Sequence, residues 1–415
     1  MGTKILLVMP VPFREVDGQL GFDEQTCEGL VRWAENFDRI AMACPTLPGK
    51  IAVNQQTSDT WRSIATLPCA DRLELVPLPY AYKPQVFART YQTTRQRLRA
   101  KIREADYLCF AIGALIGDWA GVASQEAIAL GRPYAVWADR VEYEVIRRTL
   151  KNASFKHRLR DAILLPLMKR YHRYWVREAS LGLFQGQDCF TSYAPFCNNP
   201  HCVYDVHTQK SDQIAAAQLE QKIDRLSLDR PLKICYVGRA ADMKGGIDWL
   251  RVVAQLHRAG VNLQATWLGD GPLLSEMKSF AQKMKMDDRV HFGGFVGDRA
   301  LILETMRTHH VFLFCHKTPE SPRCLVEALV SGCPIVGYGS PYPAGLVAQH
   351  GGGSFVALND WEKLAALMID LNADRGKLSA LIRAAARSGQ LFDEETVFQH
   401  RSHLIKQHLP PGIAL

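Results

Sequence analysis

Short apolar runs alternate with helix-length amphipathic stretches along most of this chain. Lys4 to Met9 is a continuous buried-strand run of the kind that parallel sheets use. After it, Cys27, Leu30, Val31 and Ala34 recur at helical spacing. Ile40 to Cys44, Tyr107 to Ile112 and Tyr134 to Ala138 repeat the strand pattern, and Leu181 to Gln185 reads as the last strand of the first half. The second half is more regular. Strands are expected at Leu232 to Val237, Leu263 to Leu268, Val290 to Phe292, Val311 to Cys315, Pro334 to Gly337 and Ser354 to Val356. Helices are expected at Gly246 to Arg258, Pro272 to Met284, Arg299 to Thr308 and Arg323 to Ser331, and a last one at Asp393 to His408. Strands alternating with helices imply βαβ units and parallel sheets covered on both faces, an α/β class of Rossmann-like domains. The polar stretch from Lys210 to Arg230 reads as part of a connection between two domains.

The length of 415 residues suits two such domains, and 47% hydrophobic against 22% charged residues is a globular balance. The expected division is 1–205, 206–390 and a closing segment 391–415. No run approaches the roughly 20 apolar residues of a membrane-spanning helix. The apolar start, Met1 to Val11, lacks the basic leader and cleavage site of a signal peptide and reads as a strand. Eleven scattered cysteines without a C-x-x-C pair point to a reduced, cytoplasmic protein. Cys197, His201 and Cys202 form the one cluster that could suggest zinc, but a fourth ligand and the usual spacing are missing.

In doubly wound sheets, ligands bind beyond the carboxyl ends of the strands. After the first strand of the second half come Gly238, Arg239, Lys244, Gly245 and Gly246. Two cations on a glycine-bearing turn into a helix suit a diphosphate, although a solvated basic loop would look the same. Gly269-Asp270-Gly271-Pro272 permits a tight turn and close backbone approach, or is an ordinary turn with proline opening a helix. Phe292 to Val296 is an apolar loop with Gly293 and Gly294; a base could lie on it, or Phe292 and Phe295 could pack in the core. The most specific segment runs from Thr318 through Glu320, Ser321, Pro322, Arg323 and Glu327 to Leu329. Two carboxylates, one in a loop and one in the second turn of the next helix, can grip separate hydroxyl-bearing parts of an extended ligand. Alternatively Glu320 favours the helix start and Glu327 faces solvent; the apolar neighbours Leu325, Val326, Ala328 and Leu329 argue against that for Glu327.

Taken in order, G-R-x4-K-G, G-D-G-P, V-x-F-x-G and the paired acids leading into E-A-L-x-x-G-x-P-I-V resemble the retaining GT-B glycosyltransferases of family 4, the group 1 glycosyltransferases. The match is specific over about residues 231–345. The resemblance implies two Rossmann-like domains facing each other across a cleft, a UDP- or GDP-sugar donor, and no cofactor or metal. It implies that Arg239 and Lys244 hold the donor diphosphate, Glu327 the ribose hydroxyls and Glu320 the transferred sugar. Gly271, Gly294, Phe295, Val296, Ser321 and Arg323 would line the donor site, with Gly18 (and Gly21) near its phosphates, and the last helix would brace the first domain. The chain departs from the pattern twice. Glu320 and Glu327 enclose six residues, one fewer than usual, with Pro322 and Arg323 in place of a glycine-rich turn. Asp139 stands where the family often carries histidine, either to position the acceptor or sugar or to cap the following helix.

Between Arg147 and Arg177 lie Arg148, Lys151, Lys156, Arg158, Arg160, Lys169, Arg170 and Arg173 against the single acid Asp161. Ile163 to Met168, Tyr171, Tyr174 and Trp175 accompany them, and a second basic run spans Arg89 to Arg103. Such stretches suit an anionic membrane surface and a lipid-linked glycan acceptor, as in polysaccharide assembly on the inner face of the plasma membrane; a solvated basic helix with a core-facing stripe is the alternative. Nucleic acid is not an expected partner. A nicotinamide oxidoreductase would need G-x-G-x-x-G after a strand, which the glycines near 113–117 and 269 do not supply. A non-catalytic sugar-nucleotide-binding relative, and a phosphorylase or epimerase on the same scaffold, stay open.

Overall fold

The protein, described by a computed structural model, is defined over residues 2–16, 18–48, 61–149, 155–318 and 321–412, with side chains omitted at 148–149 and 155–163. It divides into two compact units. The first is Met1–Asp205 with Glu395–Leu415, the second Val206–Glu394.

The first unit runs β1 (Lys4–Val8), β2 (Arg14–Val16), β3 (Gln19–Asp23), α1 (Glu24–Asn36), β4 (Arg39–Thr46), β5 (Trp61–Ser63), β6 (Leu73–Pro79), α2 (Pro84–Glu104), β7 (Tyr107–Ala111), α3 (Trp119–Ala129), β8 (Ala135–Ala138), α4 (Glu142–Thr149), α5 (Phe155–Glu178), β9 (Leu181–Gln185), α6 (Gly186–Tyr193) and β10 (Pro200–Val203). Seven strands form one parallel sheet in the order β10-β9-β8-β7-β1-β4-β6. In β1, Ile5, Leu6 and Leu7 are fully buried because helices cover both faces, which is why the run is continuously apolar. β2, β3 and β5 make a small antiparallel sheet apart from it.

The second unit contains α7 (Ala216–Asp224), β11 (Leu232–Val237), α8 (Gly246–Arg258), β12 (Leu263–Leu268), α9 (Leu274–Lys283), β13 (Val290–Gly294), α10 (Arg299–Thr308), β14 (Val311–Phe314), α11 (Arg323–Val330), β15 (Ile335–Tyr338), α12 (Pro341–Leu346), β16 (Gly353–Val356), α13 (Trp361–Ala373) and α14 (Arg375–Gly389). Its strands are all parallel, in the order β13-β12-β11-β14-β15-β16. The helix α8 buries Trp249, Leu250, Val252, Val253 and Leu256 against this sheet. Trp249 meets Trp267 edge-on at 5.4 Å, and Trp267 lies 4.1 Å from Tyr236. Truncating an aromatic buried in this way typically costs about 3–5 kcal/mol.

The last helix, α15 (Glu394–His408), has nearly all its length in the first unit. There Arg401 is fully buried. Its Nη2 donates to the Tyr204 carbonyl at 2.6 Å, and its guanidinium lies over Trp137 and Phe398 at 4.3 and 4.8 Å.

Several sequence expectations need correction. The polar stretch 210–230 is no linker but contains α7, and it belongs to the second unit. The Lys222 ammonium is buried, donating to the carbonyls of Gly332 at 2.8 Å and Met306 at 3.1 Å, so a polar residue does structural work inside. β9 is not the final strand of its half, since β10 pairs beyond it. β6 and β10 both lie at sheet edges, where short, proline-bearing strands are tolerated because one flank makes no ladder bonds. In the edge strand β10, His201 Nε2 donates to Asn199 Oδ1 at 2.9 Å.

Candidate functional site

In the second unit the first strand, β11, sits between β12 and β14. The chain winds outward through β12 and β13, then returns to the other flank of β11. The loops after β11 and β14 therefore diverge at a topological switch point, where doubly wound sheets open a ligand crevice.

Backbone hydrogen bonds lace these loops together. Gly238 N–H donates to Leu268 O at 2.9 Å, Ala240 N–H to Asp270 O at 2.9 Å, and Leu273 N–H to Ala240 O at 3.0 Å. Gly269 N–H donates to Gly294 O at 2.6 Å, joining the β12 and β13 ends. Lys317 N–H donates to Met243 O at 2.8 Å, joining the β14 end to the tight turn Asp242–Lys244. Two glycines make this closeness feasible. A Cβ at Gly269 would lie 2.0 Å from Gly238 O, and one at Gly245 would lie 2.1 Å from Cys315 O. Gly245 also has φ 68°, the left-handed conformation that glycine adopts without strain.

On this platform Arg239 is exposed just beyond β11, and Lys244 is half-buried on the turn before α8. The ammonium of Lys244 is close enough to act on His316, a buried histidine past β14 whose Nε2 bonds Tyr236 Oη at 2.9 Å. Burial first, and the Lys244 charge second, push the His316 pKa well below the ordinary value, so it is a neutral polar group beside the Lys244 ammonium. Behind the turn, buried Asp248 of α8 accepts from Tyr338 Oη at 3.0 Å and pairs with Lys317 Nζ at 3.1 Å, fixing α8 to the ends of β14 and β15.

Glu327 lies in the second turn of α11, half-buried, and has a partner within the protein. That partner is Arg299 at the start of α10. Arg299 Nη1 donates to Glu327 Oε1 at 3.0 Å, while Nη2 reaches Asp212 Oδ2 at 2.6 Å. Arg299 is anchored because Asp298 caps α10, its Oδ1 accepting from Ala300 N–H at 2.9 Å. Arg299, Asp212 and His316 went unread in the sequence. Arg299 lies 28 positions from Glu327 and 87 from Asp212, and no local spacing announces such pairs.

Gly271 follows β12, Gly294 ends β13, and Phe295 and Val296 come just after it at the same sheet end. Phe295 is 57% exposed, which removes the core-packing reading for it. Ser321 and Arg323 are half-buried at the entrance to α11. Glu320 lies outside the described residues.

Gly18 and Asp139 belong to the first unit. Gly18 is in the tight turn of the β2–β3 hairpin at φ 75°, with open space around it, and Gly21 is within β3, where a Cβ would meet Arg62 O at 2.5 Å. Gly18 thus lies in a hairpin whose antiparallel ladder pairs Arg14, Glu15 and Val16 with Gly21, Leu20 and Gln19. Asp139 follows β8. Crowding by surrounding atoms raises its carboxyl pKa, with the Arg140 charge opposing. The helix after it begins at Glu142, so the cap position falls to Val141 and the capping role fails.

Two parallel, doubly wound α/β units, each with a switch point at the centre of its sheet, define the GT-B class of fold. Residues 218–388, nearly all of the second unit, match the family profile of glycosyl transferases group 1. The chain is 33% identical to EpsF of Bacillus subtilis (strain 168) over 121 residues, covering 29% of this chain and 30% of EpsF. It is 28% identical to the 2-deoxystreptamine glucosyltransferase of Streptomyces kanamyceticus over 186 residues, covering 43% and 48%. The matched stretch thus spans less than half the length of either relative. Among solved structures, Anabaena HepE in complex with UDP superposes with a TM-score of 0.67 at 15% identity, over 98% of this chain and 100% of HepE, a likeness of fold.

Proposed function

We propose that this protein is a retaining glycosyltransferase that moves a sugar from a UDP- or GDP-sugar to an acceptor hydroxyl on a lipid-linked glycan in polysaccharide assembly. The observation that carries the reading is the laced platform at the β11–β14 ends, which presents Arg239 and Lys244 beside a helix start and lies within the family-matched stretch. The UDP held by HepE and the names of the relatives support the donor class.

On this reading the donor diphosphate meets Arg239, Lys244 and backbone N–H groups of the glycine turns. Glu327 takes the ribose hydroxyls. Its Oε1 accepts from Arg299 Nη1, and Oε2 is the atom that would accept from the hydroxyls. Phe295 and Val296 border the base, Gly271, Gly294, Ser321 and Arg323 line the pocket, and Glu320 contacts the transferred sugar. The anomeric C–O bond to the phosphate breaks while the acceptor oxygen bonds the same face, and the acceptor proton passes to the departing phosphate oxygen. No covalent nucleophile and no metal are needed, because Arg239 and Lys244 stabilise the charge that develops on the leaving group.

The acceptor reading rests on α5. No helix among the described residues is long and apolar enough to cross a membrane, but α5 exposes Leu167 and Tyr174 beside Lys169, Arg170 and Arg177. An apolar patch rimmed by cations suits peripheral binding to an anionic bilayer. Arg148, Lys151, Lys156, Arg158 and Arg160 lie outside the residues with described side chains. In vesicle flotation the protein should rise with phosphatidylglycerol liposomes at low salt and stay down with neutral ones. Equal behaviour with both would remove the membrane part.

The activity is tested by nucleotide release from candidate donors. Wild type should release UDP or GDP, and Lys244→Ala and Glu327→Ala should not. Wild type that binds a sugar nucleotide without release on any acceptor would make the protein a non-catalytic binder.

A further inference from the structure

The amino end of the second unit's sheet carries a second concave surface. A cleft of about 660 Å³ opens where β11 and β12 begin, walled by α7 and the end of α10. Its volume falls within the roughly 300–1,000 Å³ of ordinary small-molecule sites. Around it stand Arg225, Arg230, Lys233, Arg307 and His310, and the only carboxylate among its lining residues is Glu304.

These groups offer hydrogen-bond donors almost exclusively. Lys233 N–H donates to His310 Nδ1 at 3.1 Å. That fixes the tautomer, and the remaining ring proton sits on Nε2. The ring is 5% exposed and lines the cleft. Burial foremost, then the positive charges of Lys222, Arg375 and Lys233, hold its pKa down to about 3, so it stays a neutral donor. Arg307 spends Nη2 on the Asp212 carbonyl at 2.7 Å, and its buried Nε has no hydrogen-bond partner. Glu304 pairs with Arg307 Nη1 at 3.9 Å, a single acid against the cleft's several cations. Lys222 also lines the cleft, but its ammonium is committed to backbone carbonyls. Arg225 and Arg230 are exposed and Lys233 half-buried, so their charges remain open to a ligand.

We propose that this cleft is a second anion-binding site, for a compact molecule bearing two or more phosphate groups. A concave wall of cations with a donor histidine at its base suits clustered phosphate oxygens, which accept hydrogen bonds and bring the counter-charge. The lining has no exposed apolar side chain to insert in a bilayer and no Phe, Tyr or Trp on which a base would stack, which separates it from a membrane or single-strand surface. The site stands independently of the donor reading, since it occupies the other end of the sheet.

The test is calorimetric titration of inorganic tripolyphosphate into wild type, Lys244→Ala, and the double variant Arg230→Gln/Lys233→Gln. The amino-end site should persist in Lys244→Ala, whatever that change does at the carboxyl end. It should weaken about tenfold or more in the double variant, the scale of losing charge-assisted contacts. Arg225→Gln, at an exposed position, gives a second and milder variant should the double one misfold, with an expected weakening of a few-fold. Unchanged tripolyphosphate binding in a folded double variant, or in Arg225→Gln if only that one folds, would overturn the proposal. So would a short oligonucleotide that competes more strongly than tripolyphosphate.

Discussion

The two units carry the same switch at the centre of their sheets and fill it with opposite chemistry. In the first, β1 lies between β4 and β7; in the second, β11 lies between β12 and β14. Beyond β7 the first unit places a carboxyl group, Asp118, that its own residues surround. Tyr171 Oη donates to Asp118 Oδ2 at 3.0 Å and Ala120 N–H to Oδ1 at 3.1 Å, while buried His172 bonds the Gly113 carbonyl at 2.7 Å. Beyond β11 the second unit places Arg239 and Lys244, with Arg239 open to solvent. Topology thus decides where a crevice forms, and the residues after the strands decide whether it is filled by the protein or offered to an anion.

The largest expected break in this contrast is in catalysis. Lys244→Ala and Arg239→Ala should each lower nucleotide release on the order of 100- to 1000-fold, about 3–4 kcal/mol, with little change in stability. Equal loss from a neutral surface change elsewhere would dissolve the distinction between the two switch points.

Next is the pH response of the first unit. Burial, opposed by its hydrogen bonds, raises Asp118 from 3.8 to about 6. A folded-state value above the unfolded one makes its contribution complete below about pH 4, and that contribution is lost as pH rises through about 6. A rise of this size corresponds to about 3 kcal/mol as an upper figure. Urea unfolding across pH 4 to 7 should show this dependence in wild type and its absence in Asp118→Asn. Parallel curves for the two proteins would show that Asp118 is not the titrating group.

The smallest effect concerns Glu327. Arg299→Met removes the group that orients it, and should raise the donor KM by about tenfold while leaving kcat nearly unchanged, the pattern of a lost ground-state contact. A drop in kcat with KM constant would place Arg299 in the reaction itself.

Much of this contrast was legible in the sequence where short-range rules apply. The strands β11, β12, β14 and β15 announce themselves as apolar runs ended by glycine or polar turns, and α8 and α10 by their periodicity. Arg239, Lys244 and Glu327 are legible because they follow strands or sit on a mostly apolar helix. What stayed hidden depends on distant partners. β6 carries Pro77 and Pro79 and is a strand because its exposed flank asks nothing of them. α7 looked like a linker because the carbonyls that receive Lys222 lie 84 and 110 residues on. Arg299 looked like one surface cation among many until Glu327 and Asp212 converged on it.

The central claim, that the second unit's switch point holds a sugar diphosphonucleoside, is tested most directly by a thermal-shift screen of UDP-, GDP- and ADP-sugars against wild type and Lys244→Ala. Ligand that binds the folded state raises Tm. A rise with at least one of these donors is expected in wild type, greatly diminished in Lys244→Ala. No rise with any of them, or a rise that Lys244→Ala leaves intact, would contradict the claim.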